Sequence, residues 1–147
     1  RDVVEICTAA SRQVVTVSRG TVRRDPAHCT ATGKVLLAFL PPGELERFFA
    51  TGPLQKLTPQ SITDRDELIA ELERVRKNGF AIDNEELCAD LCCIGVPVRN
   101  PSGRTAAALS LAMPKVRFHS RKVSEWVEML TETSARISSA LALSGEA

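Results

Sequence analysis

The residues able to do chemistry fall into three groups. Cys88, Cys92 and Cys93, with His28 and His119 elsewhere, carry atoms that could ligate a metal. Structural zinc wants two spaced sets of ligands, whereas one cluster stands here and Cys92 and Cys93 are adjacent, so in a strand they face opposite sides. The spacing predicts no metal, and free cysteine commonly serves as a small buried hydrophobe. A thiol nucleophile needs a base within hydrogen-bond reach, and His28 beside Cys29 is a sequence neighbour and nothing more. Glu85-Glu86 pairs two carboxylates but reads as a solvated turn after a strand, and neither G-x-S-x-G nor H-E-x-x-H occurs. No catalytic residue, metal or cofactor is expected.

The third group recognises rather than reacts. Thr30-Ala31-Thr32-Gly33 opens a helix, whose first amides lack intrahelical acceptors and carry partial positive charge. Its short side chains would let a carboxylate or phosphate approach, while Thr30 serving as a simple cap is the competing reading. Asp83 closes a short strand, Leu91 and Cys93 enter the next, and Ser110 interrupts Ala107-Ala108-Leu109-Ser110-Leu111. By alternation Ser110 and Ala112 share one face, opposite Leu109 and Leu111.

These residues need elements to hold them. Residues 1–12 read as a short helix or helix end, 13–18 as a β-branched strand, and Arg19-Gly20 as a turn before three basic side chains. Thr30 or Thr32 caps a buried helix that Pro41-Pro42 ends, and a second short helix covers 43–50. Thr63-Asp64-Arg65-Asp66 is a capping-box variant; Leu68, Ile69, Leu72 and Val75 then define a helix that Asn78-Gly79 ends. Residues 80–83 read as a strand, and 92–99 and 104–112 form a hairpin about Asn100-Pro101-Ser102-Gly103, its run of small residues expected to lie tightly under helices. Residues 120–143 form a long helix with Val123, Trp126, Val127, Leu130, Ile137 and Leu141 on one stripe. The order gives an α+β fold, with a pocket between sheet and helices.

Composition sets the frame. A chain of 147 residues can bury roughly 70% of its unfolded surface without disulfide or metal support. Nineteen basic against eighteen acidic residues argue against direct nucleic-acid binding, and the cluster from Lys115 to Lys122 reads as a solvated loop. The longest apolar run, residues 35–40, is far short of the ~20 needed to cross a bilayer. With no apolar segment after Arg1-Asp2, no signal peptide is expected, and the five cysteines read as reduced thiols in the cytoplasm.

His28-Cys29-Thr30-Ala31-Thr32-Gly33-Lys34-Val35-Leu36-Leu37-Ala38 resembles the H-x-T-A-x-G-K-x-x-L-A signature of the IclR family of bacterial transcription regulators. Four further stretches resemble family blocks in the same order: Leu57-Thr58-Pro59 with Ile62-Thr63-Asp64, residues 78–86, Cys93-Ile94-Gly95-Val96-Pro97-Val98, and Ala107-Ala108-Leu109-Ser110-Leu111. The resemblance covers about residues 26–143. It implies a single effector-binding domain over 1–147 with a GAF-like or profilin-like antiparallel sheet flanked by helices. The family's N-terminal winged helix-turn-helix is absent from this chain.

The resemblance further implies a small organic-acid effector, homo-oligomerisation as dimer or tetramer, and DNA contact through that missing domain, with no membrane role. Position by position it carries over Ala31, Thr32, Gly33, Asp83, Leu91, Cys93, Ser110 and Ala112 as ligand-facing. Two departures stand out: Asp90 where the family usually has Gly, and Ala112 where it often has a second Ser. Two other classes compete with this expectation. One is a ligand-free oligomerisation module using Trp126 and the last helix. The other is a redox sensor using Cys88, Cys92 and Cys93, which requires a depressed thiol pKa.

Overall fold

Leu91-Cys92-Cys93-Ile94-Gly95-Val96-Pro97-Val98 is apolar almost without a break, as a strand covered on both faces should be. The computed structural model of the chain describes residues 1–9, 11–13, 17, 24–41 and 43–144. Its elements are β1 (Asp2–Val4), β2 (Arg24–Pro26), α1 (Ala31–Ala38), α2 (Glu44–Ala50), α3 (Arg65–Asn78), β3 (Ala81–Asn84), β4 (Leu91–Arg99), β5 (Thr105–Pro114) and α4 (Val123–Ser144). Strands β3, β4 and β5 form an antiparallel sheet in that order, and β1 pairs with β2 in a separate two-stranded ladder. This is the α+β class expected.

Strand β4 carries the two faces of the core. Ile94 and Val96 join Leu130, Trp126 and Val127 of α4 with Ile82, Leu109 and Leu111 from the flanking strands. Full burial of each such aliphatic side chain contributes about 1.5–3 kcal/mol. On the opposite face α1, α2 and α3 gather Val35, Leu37, Phe48, Leu68, Leu72 and Val75 above Ala81. Pro97 sits in β4 without disrupting it, because β3 pairs with residues 92–95 and leaves that end one-sided.

Local signals explain most boundaries. Thr30, extended at φ −121° and ψ 146°, caps α1 by accepting from the Gly33 amide at 3.0 Å. Asp64 rather than Thr63 caps α3, accepting from the Glu67 amide at 2.9 Å, and Gly79 ends that helix in the left-handed conformation at φ +78°. Asn100 accepts from Gly103 and Arg104 to close the hairpin turn.

Several expectations need correction. Residues 2–4 are a strand rather than a helix end, held by pairing with residues 24–26, 20 to 24 positions away. The strand expected at 13–18 and the turn at Arg19-Gly20 lie largely outside the described residues. A 3-10 turn over Ser120–Lys122 precedes α4, which starts at Val123. The apolar stripe of α4 is buried in its first half alone. Farther along, Ser134 donates to the Pro97 carbonyl and Ser138 accepts from the Arg99 amide, while Ile137 and Leu141 face outward. Trp126 is half-buried against Phe118 at 5.9 Å between ring centroids, inside the α4 layer. In β5 the small residues are not all covered, since Ala106, Ser110 and Ala112 are exposed.

Two glycines set how closely the layers meet. A Cβ at Gly33 would fall inside the contact shell of the Ala27 carbonyl oxygen, and one at Gly95 would lie 2.9 Å from the Ala31 carbonyl carbon and 3.1 Å from the Thr32 nitrogen. Gly33→Ala is therefore expected to lower stability by about 3 kcal/mol or more, and Gly95→Ala by about 1–3 kcal/mol, in urea unfolding. A stabilised Gly33→Ala, as helix propensity alone would give, contradicts this backbone-contact explanation.

Candidate functional site

The first turn of α1 rests on β4 at Gly95, backbone on backbone. Gly95 is opposite Ala81 on one side and Ser110 on the other; two residues along, Cys93 is opposite Asp83 and Ala112. Directly opposed residues share a face, so these two cross-strand rows lie on the α1 side of the sheet, with Leu91 next in line. The structure thus gathers the predicted residues of all three strands beside the predicted helix start.

Their environments form a gradient. Asp83 is fully buried, Leu91 is buried, Cys93 and Thr32 are half-buried, and Ser110 and Ala112 on β5 are exposed. Ser110 is therefore neither a core hydroxyl nor enclosed, but stands at the rim. Ala31 and Gly33 are buried in the α1 contact. Thr30 does act as a cap, and its side chain and carbonyl accept from Gly33 and Lys34. The amides of Ala31 and Thr32 are left without an acceptor in the helix. Two hollows, of about 300 Å³ beside Phe49 and Arg65 and about 480 Å³ at the other end of α1, lie away from these rows. The face at the start of α1 grades from exposed Ser110 and Ala112 to buried Leu91 and Asp83.

The centre of the region is a residue the sequence reading passed over. Lys34 is 1% exposed, and its ammonium donates to Glu86 Oε1 at 2.7 Å, to Glu71 Oε1 at 3.1 Å and to the Ile82 carbonyl. All three of its N–H donors are used. Glu86, expected on a solvated turn, is instead buried on this ammonium. A lone lysine inside Gly33-Lys34-Val35-Leu36-Leu37-Ala38 and a glycine inside Ile94-Gly95-Val96 are the sequence signals for this close-packed centre.

Asp83 shapes the loop after β3. Its Oδ1 accepts from the Glu86 amide at 2.8 Å and the Leu87 amide at 3.4 Å, whereas Oδ2 is buried without a partner. Burial pushes its carboxyl up to about 6, the Glu86 charge adding and the amide bonds opposing. Burial also raises Glu86 against the pull of Lys34. Burial would raise Glu71 too, but Lys34 and Arg74 outweigh it and hold its carboxyl low. Asp90 is exposed and in the left-handed region at φ +63°, with its amide donating to Glu85; its charge points to solvent.

Burial raises Cys29 to about 11 and raises Cys92, whose thiol donates to Asn84 Oδ1. Both shifts run opposite to what a redox sensor needs. Among the described residues no set of three His, Cys, Asp or Glu side chains is arranged to hold a metal, and no helix is long and apolar enough to cross a membrane.

Comparison with known proteins fits this geometry. Residues 2–139 match the family described as bacterial transcriptional regulator IclR C-terminal, so the chain belongs to the IclR family. Within it, the chain is 37% identical over 116 residues to the HTH-type transcriptional regulator KdgR of Escherichia coli K12, covering 79% of this chain and 44% of that one. The chain thus spans less than half of this curated relative. The crystal structure of a transcriptional regulator from Rhodococcus sp. RHA1 superposes with a TM-score of 0.91 at 34% identity, covering 97% of this chain and 58% of that one. The inducer-binding domain of PobR from Acinetobacter, solved as a double mutant with 3-hydroxybenzoic acid, superposes at 0.73 and 33% identity, covering 78% and 66%.

Two outcomes follow from the buried charges. Lys34→Met strands Glu86 and is expected to cost about 3–5 kcal/mol at neutral pH. The deficit should shrink as pH falls and Glu86 takes a proton, and Glu86→Gln should recover part of it. A pH-independent deficit in urea unfolding contradicts this. The second concerns Asp83, whose raised folded pKa makes its contribution fully present below the unfolded value near 4 and lost as pH rises through about 6. Relative to the wild type, Asp83→Asn should therefore gain stability between pH 4.5 and pH 7, about the window of that shift. A difference that stays flat with pH removes the buried carboxyl from the account.

Proposed function

We propose that this chain is the small-molecule-sensing domain of a cytoplasmic IclR-type regulator, not an enzyme, and that it binds a small organic acid or aromatic carboxylate. The carrying observation is the juxtaposition at Gly95: the first amides of α1 stand over two cross-strand rows that run from exposed Ser110 to buried Asp83. The Ala31 and Thr32 amides would receive the carboxylate. Leu91 and Cys93 would meet its apolar body, and the unpartnered Asp83 Oδ2 would accept from a hydroxyl on it. Binding of 3-hydroxybenzoic acid by the related PobR domain supports that ligand class.

Regulation requires the ligand to favour one conformational or oligomeric state, and a tenfold bias needs about 1.4 kcal/mol. The outward line of Met129, Ile137 and Leu141 on α4 supports a homo-oligomer, dimer or tetramer, built on that helix. DNA would be contacted by a separate N-terminal winged helix-turn-helix domain outside this chain.

Calorimetric titration with 3-hydroxybenzoate, benzoate and short aliphatic acids tests the site. At least one is expected to bind, and Asp83→Asn with Ser110→Ala together should weaken it about tenfold. No binding across the panel, or affinity untouched by the double substitution, overturns this reading.

A further inference from the structure

The other end of α1 holds a hollow of about 480 Å³, lined by Phe39, Pro41, Arg99, Asn100, Arg104 and Thr105. Two guanidinium groups border it, and among the described residues no carboxylate does. Among the described residues neither arginine has an acidic partner. Arg99 lies over the Phe39 ring at 5.2 Å and donates through Nη1 to the Gly103 carbonyl at 3.0 Å. Arg104 donates through Nε to Ser102 Oγ at 3.3 Å. A guanidinium has five N–H donors in a fixed fork, so most of theirs remain for something else.

Holding the fold together does not account for both charges. The carbonyls at the end of α1 are already satisfied, Ala38 by Arg76 and Leu37 by the Leu40 amide. The hairpin turn is closed by its own bonds from Gly103, Arg104 and Ser102 to Asn100. That turn also fixes where both arginine side chains begin. Thr105 completes the lining beside the two arginines. Two guanidinium groups and an aromatic wall match a molecule with two negative charges and a compact body.

We propose that this hollow is a second ligand site, distinct from the cross-strand rows at the α1 start, and that it takes a small organic dianion, a phosphate monoester or a dicarboxylate. Six residues of β4 separate Arg99 from Cys93, about 20 Å along the strand, so the two sites do not share a ligand. They share α1, whose opposite ends border them.

Amide chemical-shift titration of this chain with phenyl phosphate, inorganic phosphate, succinate and, at matched ionic strength, sodium chloride tests the proposal. Phenyl phosphate, succinate or both should give saturating shifts at residues 39 and 99–105, with a midpoint of about 1 mM or tighter. Saturation by one and not the other assigns the charge carrier as phosphate or carboxylate. Arg99→Gln with Arg104→Gln should weaken binding at least about tenfold, their exposed positions leaving the amide spectrum dispersed. Non-saturating shifts, shifts reproduced by chloride, or unchanged affinity in the double arginine variant overturn the proposal.

Discussion

One ammonium group holds the centre of this domain. Lys34 on α1 reaches Glu71 on α3, the Ile82 carbonyl on β3 and Glu86 on the loop between β3 and β4, so three separate segments must converge on a single atom. A buried ion group gains little net stability over apolar side chains of the same volume. Its contribution is positional. Asp83 extends the arrangement by taking the Glu86 and Leu87 amides, which gives the loop its shape and sets where Leu91 enters β4. The charge cluster thereby ties α1 to α3, to β3 and to the loop that follows it.

The same logic explains what could be read directly from the residues. Helix α3 was legible because a short-range cap at Asp64, an apolar spacing and a left-handed Gly79 all agree within fifteen positions. The hairpin was legible from its four turn formers. The family signature pointed to the helix start and to Asp83, Cys93 and Ser110 as neighbours, and the strand register does put them on one face. Lys34 was not legible as a buried residue, since its partners are 37 to 52 positions away and lysine is ordinarily a surface residue. Glu86 was misread for the same reason. The exposure of Ser110 depends on what lies beside β5, which no local pattern records. Strand β1 is three residues long and depends wholly on a distant partner, so it left no periodicity to find.

The sheet divides the labour between its faces. Against α4 it is a hydrocarbon interface, with Ile94, Val96, Leu109 and Leu111 meeting Trp126, Val127 and Leu130. Against α1 the polar and small residues collect, and the burial gradient from Ser110 to Asp83 runs across the strands rather than along them. Helix α4 loses its apolar grip beyond Leu130 and continues on serine hydrogen bonds to Pro97 and Arg99. Its outward side chains are consequently independent of the core that the first half of the helix builds.

Gly95 carries one more consequence. The gap between α1 and β4 is gauged by two main chains in direct contact, and no rotamer change can widen or narrow it. Substitutions at the flanks, at positions such as Leu91, Cys93 or Ala112, can retune polarity and shape along the seam while the gauge stays constant. Chemical diversity in such a scaffold is written in its borders, and its calibre is inherited from a missing side chain.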